Sequence, residues 1–356
     1  MIGRLRELLE AARLDCAVVG PTTNMRYLLG YAPHADERLC VVLVDARRAQ
    51  LVVPEINAEE LGSHTDLEML TWADDRGPTE ALQRSLLHGQ EIRRLGVDGA
   101  MRSDFLVTLL PTVHTEELVA LDPVMAPLRM VKTEEEIEAL AAAAAQADRA
   151  MQAAFAACRP GVSEADIAWA AEESFRKDGA EAVEFTLVAA GANAALPHHH
   201  SGRKVLERGE GIILDIGASL NGYKSDITRV VHLGDPDPEF LEVYDTVRAA
   251  NEAGIAAVHP GAEARSVDAA AREVIAAAGY GQWFIHRTGH GIGLDIHEPP
   301  WIMKGQTNPL ASGMVFSVEP GIYLPGRLGV RLEDIVAVVP TGVRVLTGLD
   351  HELVVK

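Results

Sequence analysis

The stretch Gly211-Ile-Ile-Leu-Asp-Ile-Gly-Ala-Ser-Leu-Asn-Gly-Tyr-Lys-Ser-Asp-Ile-Thr228 decides how the second half of this chain folds. Two apolar runs flank Asn221-Gly222, a dipeptide that strongly favours the two-residue turn of a β-hairpin. That turn sets Asp215 opposite Thr228, whereas a turn one residue earlier sets Asp215 opposite Asp226. In either register, the alternation of side chains along a strand puts both carboxylates on the same face.

Acids recur inside the later apolar runs. Glu319 directly follows Val315-Phe-Ser-Val318, and Glu333 interrupts the run from 330 to 336. Carboxylates that share an inner face repel each other unless they are protonated or share a cation. The sequence therefore predicts a site for divalent cations. His290 is the best candidate for a nitrogen ligand, because the glycines around it permit close backbone approach.

Two Asp, two Glu and one His form an oxygen-rich set of candidate ligands. The set is too large for one tetrahedral zinc ion and lacks the cysteine sulfur that structural zinc prefers. Four carboxylates would balance two divalent ions, and pairs of metal ions in proteins activate water and polarise a scissile carbonyl. We expect two divalent ions per chain. Oxygen-rich ligation favours manganese, with cobalt or zinc as alternatives.

The composition of the chain limits the partners and the cellular location that can be expected. The 356 residues carry a formal net charge of −20, which argues against binding to nucleic acid or to anionic membranes. The three cysteines are widely spaced and form no CxxC motif, so reduced thiols and a cytoplasmic location are expected. The N-terminus has the pattern of an amphipathic helix rather than a signal peptide, and no apolar run is long enough to span a membrane.

The first third of the chain alternates helix-like and strand-like segments, which is typical of an α/β domain. The segment 122–128 contains two prolines and is interpreted as a connector. Thr133 and Glu136 then form a capping box that opens a long alanine-rich helix. We therefore expect an N-terminal domain over residues 1–128 and a second domain over 129–356.

The second domain contains a weak internal sequence repeat. Arg159-Pro-Gly-Val162 precedes a predicted Ser-capped helix over 163–177, and His259-Pro-Gly-Ala262 precedes another over 266–278, one hundred residues later. A glycine and an apolar segment follow each helix. This shared helix-then-strand plan predicts an α+β domain with pseudo-duplicated halves.

Four segments resemble the pita-bread metallopeptidases, the family of prolidase, aminopeptidase P, methionine aminopeptidase and creatinase. They are LDIGASLNGYKSDITR (214–229), TGHGIGLDIHEPP (288–300), FSVEPGIY (316–323) and GVRLEDIV (329–336). The resemblance covers roughly residues 130–350, with order and spacing kept. It implies a creatinase/prolidase-type α/β N-terminal domain followed by an α+β pita-bread catalytic domain.

The resemblance also implies roles for the five candidate ligands. Asp215 would chelate one ion with both oxygens, and His290 and Glu319 would bind the other. Asp226 and Glu333 would bridge the two ions. Glu319 would in addition serve as a general base or proton shuttle.

Three further residues match positions around the metals in this family. His198 and His297 correspond to histidines that hydrogen-bond the substrate and the tetrahedral intermediate, and Arg331 corresponds to an active-site arginine of the proline-specific branch. The extra N-terminal domain and the intact ligand set favour that branch over methionine aminopeptidase and creatinase. The implied reaction is hydrolysis of the bond before a proline, and the implied assembly is a homodimer.

The length of the peptide substrate stays open. An Xaa-Pro dipeptidase must hold a free proline carboxylate, and some prolidases place an arginine in the stretch that corresponds to Lys304–Met314, which here has none. An Xaa-Pro aminopeptidase acting on longer peptides is the alternative. Asp36 or Glu37 in the N-terminal domain is a candidate to bind the substrate's free amine. Other readings are a non-catalytic peptide-binding module and a hydrolase for phosphoesters or amidines.

Overall fold

The computed structural model describes residues Met1 to Lys356 and divides the chain into two compact units, Met1–Arg129 and Met130–Lys356. The division lies one residue beyond the boundary expected from the sequence. No helix in the chain combines the length and the apolar character that crossing a membrane requires.

The first unit is an α/β layer structure around one six-stranded mixed sheet. Its strands are β1 (Cys16–Val19), β2 (Val41–Asp45), β3 (Ala49–Pro54), β4 (Glu68–Trp72), β5 (Glu91–Val97) and β6 (His114–Ala120). Its helices are α1 (Ile2–Ala11), α2 (Thr23–Leu29), α3 (Glu55–Gly62), α4 (Thr79–Arg84), α5 (Ser103–Leu109) and α6 (Asp122–Met130), with a 3₁₀ turn at Leu110–Thr112.

The sheet has the order β4-β3-β2-β1-β5-β6, and β1 pairs antiparallel with β2 but parallel with β5. All four residues of β1 are buried. Ala17 and Val19 belong to one apolar cluster, whereas Cys16 and Val18 belong to another. The two faces of β1 thus contribute to separate clusters, which explains its continuous apolar sequence.

The interpretation of residues 122–128 as a connector is wrong, because these residues form most of α6. Pro123 stands in the first turn, where a helix needs no backbone N–H donor. Val124, Met125 and Leu128 are buried in the core of the first unit. Burial of this apolar face outweighs the hydrogen bond that Pro127 removes.

The second unit contains four long helices and twelve strands. The helices are α7 (Glu134–Ala157), α8 (Glu164–Lys177), α9 (Pro238–Ala256) and α10 (Ala264–Ala277), with 3₁₀ turns at Gly191–Ala195 and Gly281–Trp283. The strands are β7 (Ala182–Ala190), β8 (Gly211–Leu220), β9 (Tyr223–Lys224), β10 (Ile227–His232), β11 (Gly289–Gly291), β12 (Glu298–Ile302), β13 (Val315–Val318), β14 (Gly321–Leu324), β15 (Leu328–Arg331), β16 (Asp334–Val339), β17 (Gly342–Val345) and β18 (Val354–Val355).

These strands form two larger sheets and one separate pair. One sheet has the order β18-β10-β8-β7, with β9 paired to β8, and the other has the order β12-β11-β13-β16-β17. Strands β14 and β15 pair with each other. A backbone bridge between Thr228 and Glu333 joins β10 to the segment between β15 and β16. This bridge brings candidate ligands from distant parts of the sequence together.

The two halves of this unit repeat one plan. Helices α7 and α8 pack against β8 and β10, and helices α9 and α10 pack against β13, β14 and β15. Gly161 (φ +88°) and Gly261 (φ +84°) occupy the same turn before α8 and α10, and this left-handed conformation favours glycine. The predicted duplication of an α+β plan is confirmed.

The predicted helix starts are right in one half and wrong in the other. Ser163 caps α8 as expected. Helix α10 begins two residues before the predicted Ser266, and its N-cap is Glu263. The hydroxyl of Ser266 instead donates to the backbone oxygen of Glu263, inside the first turn. A serine three residues into a helix therefore looks like a cap in the sequence although it is none.

The hairpin around Asn221-Gly222 has the first of the two predicted registers, with Thr228 opposite Asp215. Asn221 and Gly222 both have positive φ, at 51° and 83°, as a type I′ turn requires. The strand after the turn is interrupted at residues 225–226, between β9 and β10. Asp226 lies in this interruption rather than inside a continuous strand.

Candidate metal centre

The five candidate ligands all line one cavity of about 530 Å³ in the second unit. This volume falls within the roughly 300–1,000 Å³ that is usual for small-molecule sites. We call this group of five side chains the acidic centre: Asp215, Asp226, His290, Glu319 and Glu333. Its members come from β8, from the β9–β10 and β15–β16 interruptions, from β11 and from the end of β13.

Asp226, His290 and Glu333 form a buried group with the spacing of metal ligands. One potential ligand atom from each lies within 4.8 Å of the other two. His290 Nε2 is 3.3 Å from Glu319 Oε1 and 3.8 Å from Asp226 Oδ2. The imidazole therefore faces carboxylate oxygens on two sides, with spacings that leave room for a cation between them.

Several oxygens of the acidic centre are buried without a hydrogen-bond partner in the protein. They are Oδ1 of Asp215, Oδ1 of Asp226 and Oε1 of Glu333. A buried carboxylate oxygen without a partner carries a large desolvation cost unless a cation or a proton satisfies it. Three such atoms around one cavity fit divalent cations, which oxygen ligands of this kind bind well.

The charge state of these groups points the same way. Burial, with repulsion from neighbouring carboxylates, raises the pKa values of Asp226 and Glu333 well above their usual range. Burial likewise raises the pKa of Glu319 to about 7, and the charge of Arg331 opposes part of this shift. Burial lowers the pKa of His290 to about 3, so its imidazole is neutral and can donate a lone pair to a metal.

Arg331 is buried and braces the acidic centre from one side. Its Nη2 donates to Asp215 Oδ2 at 2.5 Å, and its Nε donates to Thr228 Oγ1 at 3.2 Å. The Thr228 hydroxyl in turn donates to Glu333 Oε2 at 2.9 Å, while Arg331 Nη1 donates to the Tyr323 hydroxyl at 3.0 Å. Arg331 thus fixes two carboxylates of the centre through direct and shared hydrogen bonds.

Arg331 and its partner Asp215 were singled out in the sequence, but its other partners, Thr228 and Tyr323, were not. Thr228 and Tyr323 lie within the segments that carry the family resemblance, at positions where a short pattern shows only a hydroxyl residue. Ser317 is a third such residue. It accepts the His290 backbone N–H at 3.0 Å and donates to Glu319 Oε1 at 3.2 Å.

His198 and His297 also line the cavity. The ring of His297 lies edge-on to that of His290, with centroids 4.1 Å apart. His198 belongs to the run His198-His199-His200, and the middle histidine is tied down, since its Nε2 lies 2.9 Å from Glu164 Oε2. The contact between His199 and Glu164 therefore anchors this loop, and His198 lines the cavity without such a contact.

Glu164 was not predicted from the sequence. Its carboxylate is 0% exposed and accepts hydrogen bonds from the backbone N–H groups of Ala190 and Gly202 and from the Asn193 amide, besides its contact with His199. These bonds hold both ends of the segment that carries His198. In the sequence Glu164 looks only like an acid in the first turn of a helix.

His286 and Arg287 are further cavity residues that the sequence did not single out. Burial lowers the pKa of His286 to about 4, and its Nε2 lies 2.8 Å from the Tyr323 hydroxyl. The guanidinium of Arg287 stacks over Trp301, 4.4 Å from the ring centroid. Both residues directly precede the Thr288-Gly-His290 motif, which was the available signal.

Asp36 and Glu37 lie in the first unit. Asp36 accepts hydrogen bonds from the backbone N–H and the Nη1 of Arg38, both at 2.8 Å. Glu37 lies 3.4 Å from the same guanidinium, which also binds Asp74. Within their own unit these acids are paired with an arginine, and their contact with substrate stays a prediction.

The fold and the site together define a class, that of enzymes whose centre is built for divalent cations. Comparison with known proteins identifies the family. Residues 138–340 match the family model Metallopeptidase family M24, and residues 1–131 match the Creatinase/Prolidase N-terminal domain.

Two curated relatives and one solved structure illustrate the similarity. The "Probable dipeptidase PepE" of Mycobacterium tuberculosis (strain CDC 1551 / Oshkosh) is 37% identical over 98% of this chain and 95% of its own length. The "Xaa-Pro dipeptidase" of Pyrococcus furiosus is 34% identical over 98% of each chain. The prolidase structure from Pyrococcus horikoshii OT3 has a TM-score of 0.91 at 31% identity, covering 99% of each chain.

The chain belongs to metallopeptidase family M24. It is therefore a peptidase that depends on divalent metal ions, and the predicted combination of a creatinase/prolidase-type N-terminal domain with a pita-bread catalytic domain is confirmed.

Proposed function

We propose that this enzyme is a prolidase-like Xaa-Pro dipeptidase, which hydrolyses the bond between a residue and a C-terminal proline. The observation that carries the proposal is the single cavity in which the acidic centre lies beside His198, His297 and Arg331. Relatives that share nearly the full length of the chain are named dipeptidases and Xaa-Pro dipeptidases, which supports the same conclusion.

In this proposal the acidic centre holds two divalent ions. By the family resemblance, Asp215 would hold one ion, His290 and Glu319 would hold the other, and Asp226 and Glu333 would serve both. The unpartnered oxygens of Asp215, Asp226 and Glu333 support cation binding by these three residues. When bound, such ions polarise a scissile carbonyl and lower the pKa of water.

The protein's own groups supply positioning and proton transfer. Ser317 holds Glu319 Oε1, so this carboxylate has a fixed direction from which to take a proton and return it to the leaving proline nitrogen. His198 and His297 line the cavity, where their imidazoles would hydrogen-bond the substrate and the developing negative charge. Arg331 keeps Asp215 in place rather than acting on the substrate.

A peptide length series tests the proposal. The purified protein, treated with chelator and supplied with manganese, is assayed on Ala-Pro, Ala-Pro-Ala and Ala-Pro-Ala-Ala, with Ala-Ala as the control without proline. We expect turnover of Ala-Pro, little turnover of Ala-Ala and none of the longer peptides. Equal cleavage of the longer peptides would make the enzyme an aminopeptidase. Two bound ions without turnover of any Xaa-Pro peptide would indicate a binding module or a hydrolase for another ester or amide.

The proposal also specifies the metal, the cellular location, the oligomeric state and the domain bounds. Oxygen-rich ligation favours manganese, and three free, buried cysteines suit a cytoplasmic protein. We also propose a homodimer, in which Asp36 or Glu37 binds the substrate's free amine. Residues 1–128 would then form the N-terminal domain and residues 129–356 the catalytic domain. Metal analysis of the isolated protein tests the choice of manganese, and the mass of the protein in solution tests the homodimer.

A further inference from the structure

Arg287 is a cation in the catalytic cavity that has no protein carboxylate bound to it. Its guanidinium stacks on Trp301, and it makes no hydrogen bond or ion pair to an acidic side chain. The other arginines around this site are saturated: Arg331 binds Asp215, Arg229 binds Asp334, and Arg272 binds Asp268. In a chain with 52 acidic residues and a net charge of −20, an unpaired arginine inside a cavity is unusual.

The position of Arg287 is fixed relative to the acidic centre. Across the β11–β12 ladder, Trp301 is the direct partner of His290, so the aromatic platform and the candidate ligand share a rigid frame. The guanidinium carbon lies 4.4 Å from the centre of the Trp301 ring. Stacking holds the flat face of the guanidinium and leaves the N–H donors at its edge available to a ligand.

Burial in the cavity also makes the positive charge of Arg287 unfavourable in the absence of a bound anion. Burial lowers the pKa of Arg287, and the charge of Glu319 offsets part of this effect. Glu319 itself is directed to His290, at 3.3 Å. An anion bound in the cavity would therefore compensate the desolvation of the Arg287 guanidinium. A carboxylate can accept two parallel hydrogen bonds from the planar edge of this group.

We propose that Arg287 binds the C-terminal carboxylate of the substrate and thereby selects dipeptides over longer peptides. This inference rests on the proposed Xaa-Pro dipeptidase function and assigns the group that grips one substrate terminus. In a dipeptide the carboxylate follows the scissile bond by one residue, whereas a longer peptide presents a neutral amide at that place. Lys304, the cation in the stretch where some prolidases carry an arginine, does not line the cavity.

The test compares two substrates that differ only in charge, Ala-Pro and its C-terminal amide. We expect wild-type enzyme to prefer Ala-Pro, and Arg287→Ala to lose about 10- to 100-fold in kcat/KM on Ala-Pro, mostly through KM, as expected for one charge-assisted contact. On the amide the same variant should lose less than about threefold, since no carboxylate is present to be bound. Arg287→Lys keeps the charge without the planar edge and should fall between the two.

Controls separate this inference from folding and from the proposed function. Arg159→Ala removes an exposed arginine outside the cavity and should behave as wild type. Metal content should be unchanged in all variants, and a thermal melt should show that each variant is folded. If Arg287→Ala does not fold, Arg287→Met, which keeps the stem over Trp301, replaces it. Equal losses on acid and amide would overturn the role of Arg287 while the peptidase assignment stands. Wild-type enzyme without activity on any Xaa-Pro substrate would overturn both.

Discussion

Two groups of residues that line the same cavity, the acidic centre and a neighbouring set of basic side chains, are built in contrasting ways. We call the second region the substrate wall, formed by His198, Arg287 and His297. In the acidic centre, Arg331, Thr228 and Ser317 bind the carboxylates of Asp215, Glu333 and Glu319. One buried oxygen on each of Asp215, Asp226 and Glu333 has no hydrogen-bond partner. The side chains of the wall form no hydrogen bonds within the protein. One region is arranged to hold cations, and the other is left open to a ligand.

This contrast separates two kinds of functional change. Loss of a group from the acidic centre should stop turnover of every substrate, because no other residue can take over its charge. Loss of a group from the wall should change KM in a way that depends on the substrate. The following predictions begin with the largest expected effect.

Asp226→Ala removes the carboxylate that is proposed to bridge both ions. We expect a loss of roughly 1,000-fold or more in kcat/KM on Ala-Pro and on its amide alike, together with loss of both metals. Metal analysis and steady-state kinetics measure the two effects. Asp226 is 4% exposed, so a thermal melt must accompany them. Wild-type activity in this variant would contradict the assignment of the whole centre.

Asp334→Asn tests the outer support of the acidic centre. Asp334 is 1% exposed and accepts hydrogen bonds from Arg229 and Thr347, both at 2.7 Å. Arg229 also donates to the backbone oxygens of Thr228 and Glu333. An uncharged partner leaves a buried arginine unpaired, which should cost about 3–5 kcal/mol of unfolding free energy. Replacing both partners with apolar residues should cost less, and equal costs would argue against a charge effect.

The same pair should make stability depend on pH. Burial alone would raise the pKa of Asp334, but the hydrogen bond to His351 and the charge of Arg229 outweigh it and hold that pKa well below its usual range. This contribution is complete above the unfolded-state pKa of about 3.9 and is lost as pH falls toward the lower folded-state pKa. Unfolding titrations below pH 4 should therefore show a smaller dependence on pH in D334N than in wild type.

Glu164→Gln addresses the loop that carries His198. The carboxylate makes four contacts, and an amide can replace only those that its single oxygen accepts. We expect a fall of about five- to tenfold in kcat/KM with metal content unchanged, since the loop shifts while the acidic centre stays intact. Loss of metal would show instead that Glu164 acts on the centre itself.

Asp36→Ala tests the predicted grip on the substrate's amine, with Asp74→Ala as a matched control because both acids bind Arg38. We expect about a tenfold rise in KM for the first variant, as for loss of one charge-assisted contact, and no change for the second. Equal kinetics in the two variants would assign Asp36 to the surface of its own unit.

The sequence predicted the hairpin because Asn221-Gly222 specifies a turn locally, but it left two registers open, and the structure has the one with Asp215 opposite Thr228. The sequence did not show the breaks at 225–226 and 332–333, where Asp226 and Glu333 lie between strands. The hydrophobic pattern shows a polar residue within an apolar run in both cases, so it does not distinguish a continuous strand from an interrupted one. Nor could it reveal that Arg287 stacks on Trp301, since that contact depends on the pairing and bulge of two strands from a glycine-rich segment.

The five candidate ligands and Arg331 were named from the sequence, whereas the hydroxyl residues that contact them were identified only in the structure. Acids in apolar runs violate the expected pattern and attract notice. Thr228, Ser317 and Tyr323 violate nothing, because hydroxyl residues are common in strands. Their roles follow from distances between segments that lie far apart in the chain.

A metal titration tests the central claim most directly. Chelated, metal-free protein is titrated with manganese while bound metal and hydrolysis of Ala-Pro are followed in the same samples. We expect no activity without metal, two ions bound per chain and activity that saturates as the second ion binds. Full hydrolysis of Ala-Pro by metal-free protein would contradict the claim that the acidic centre acts through bound cations.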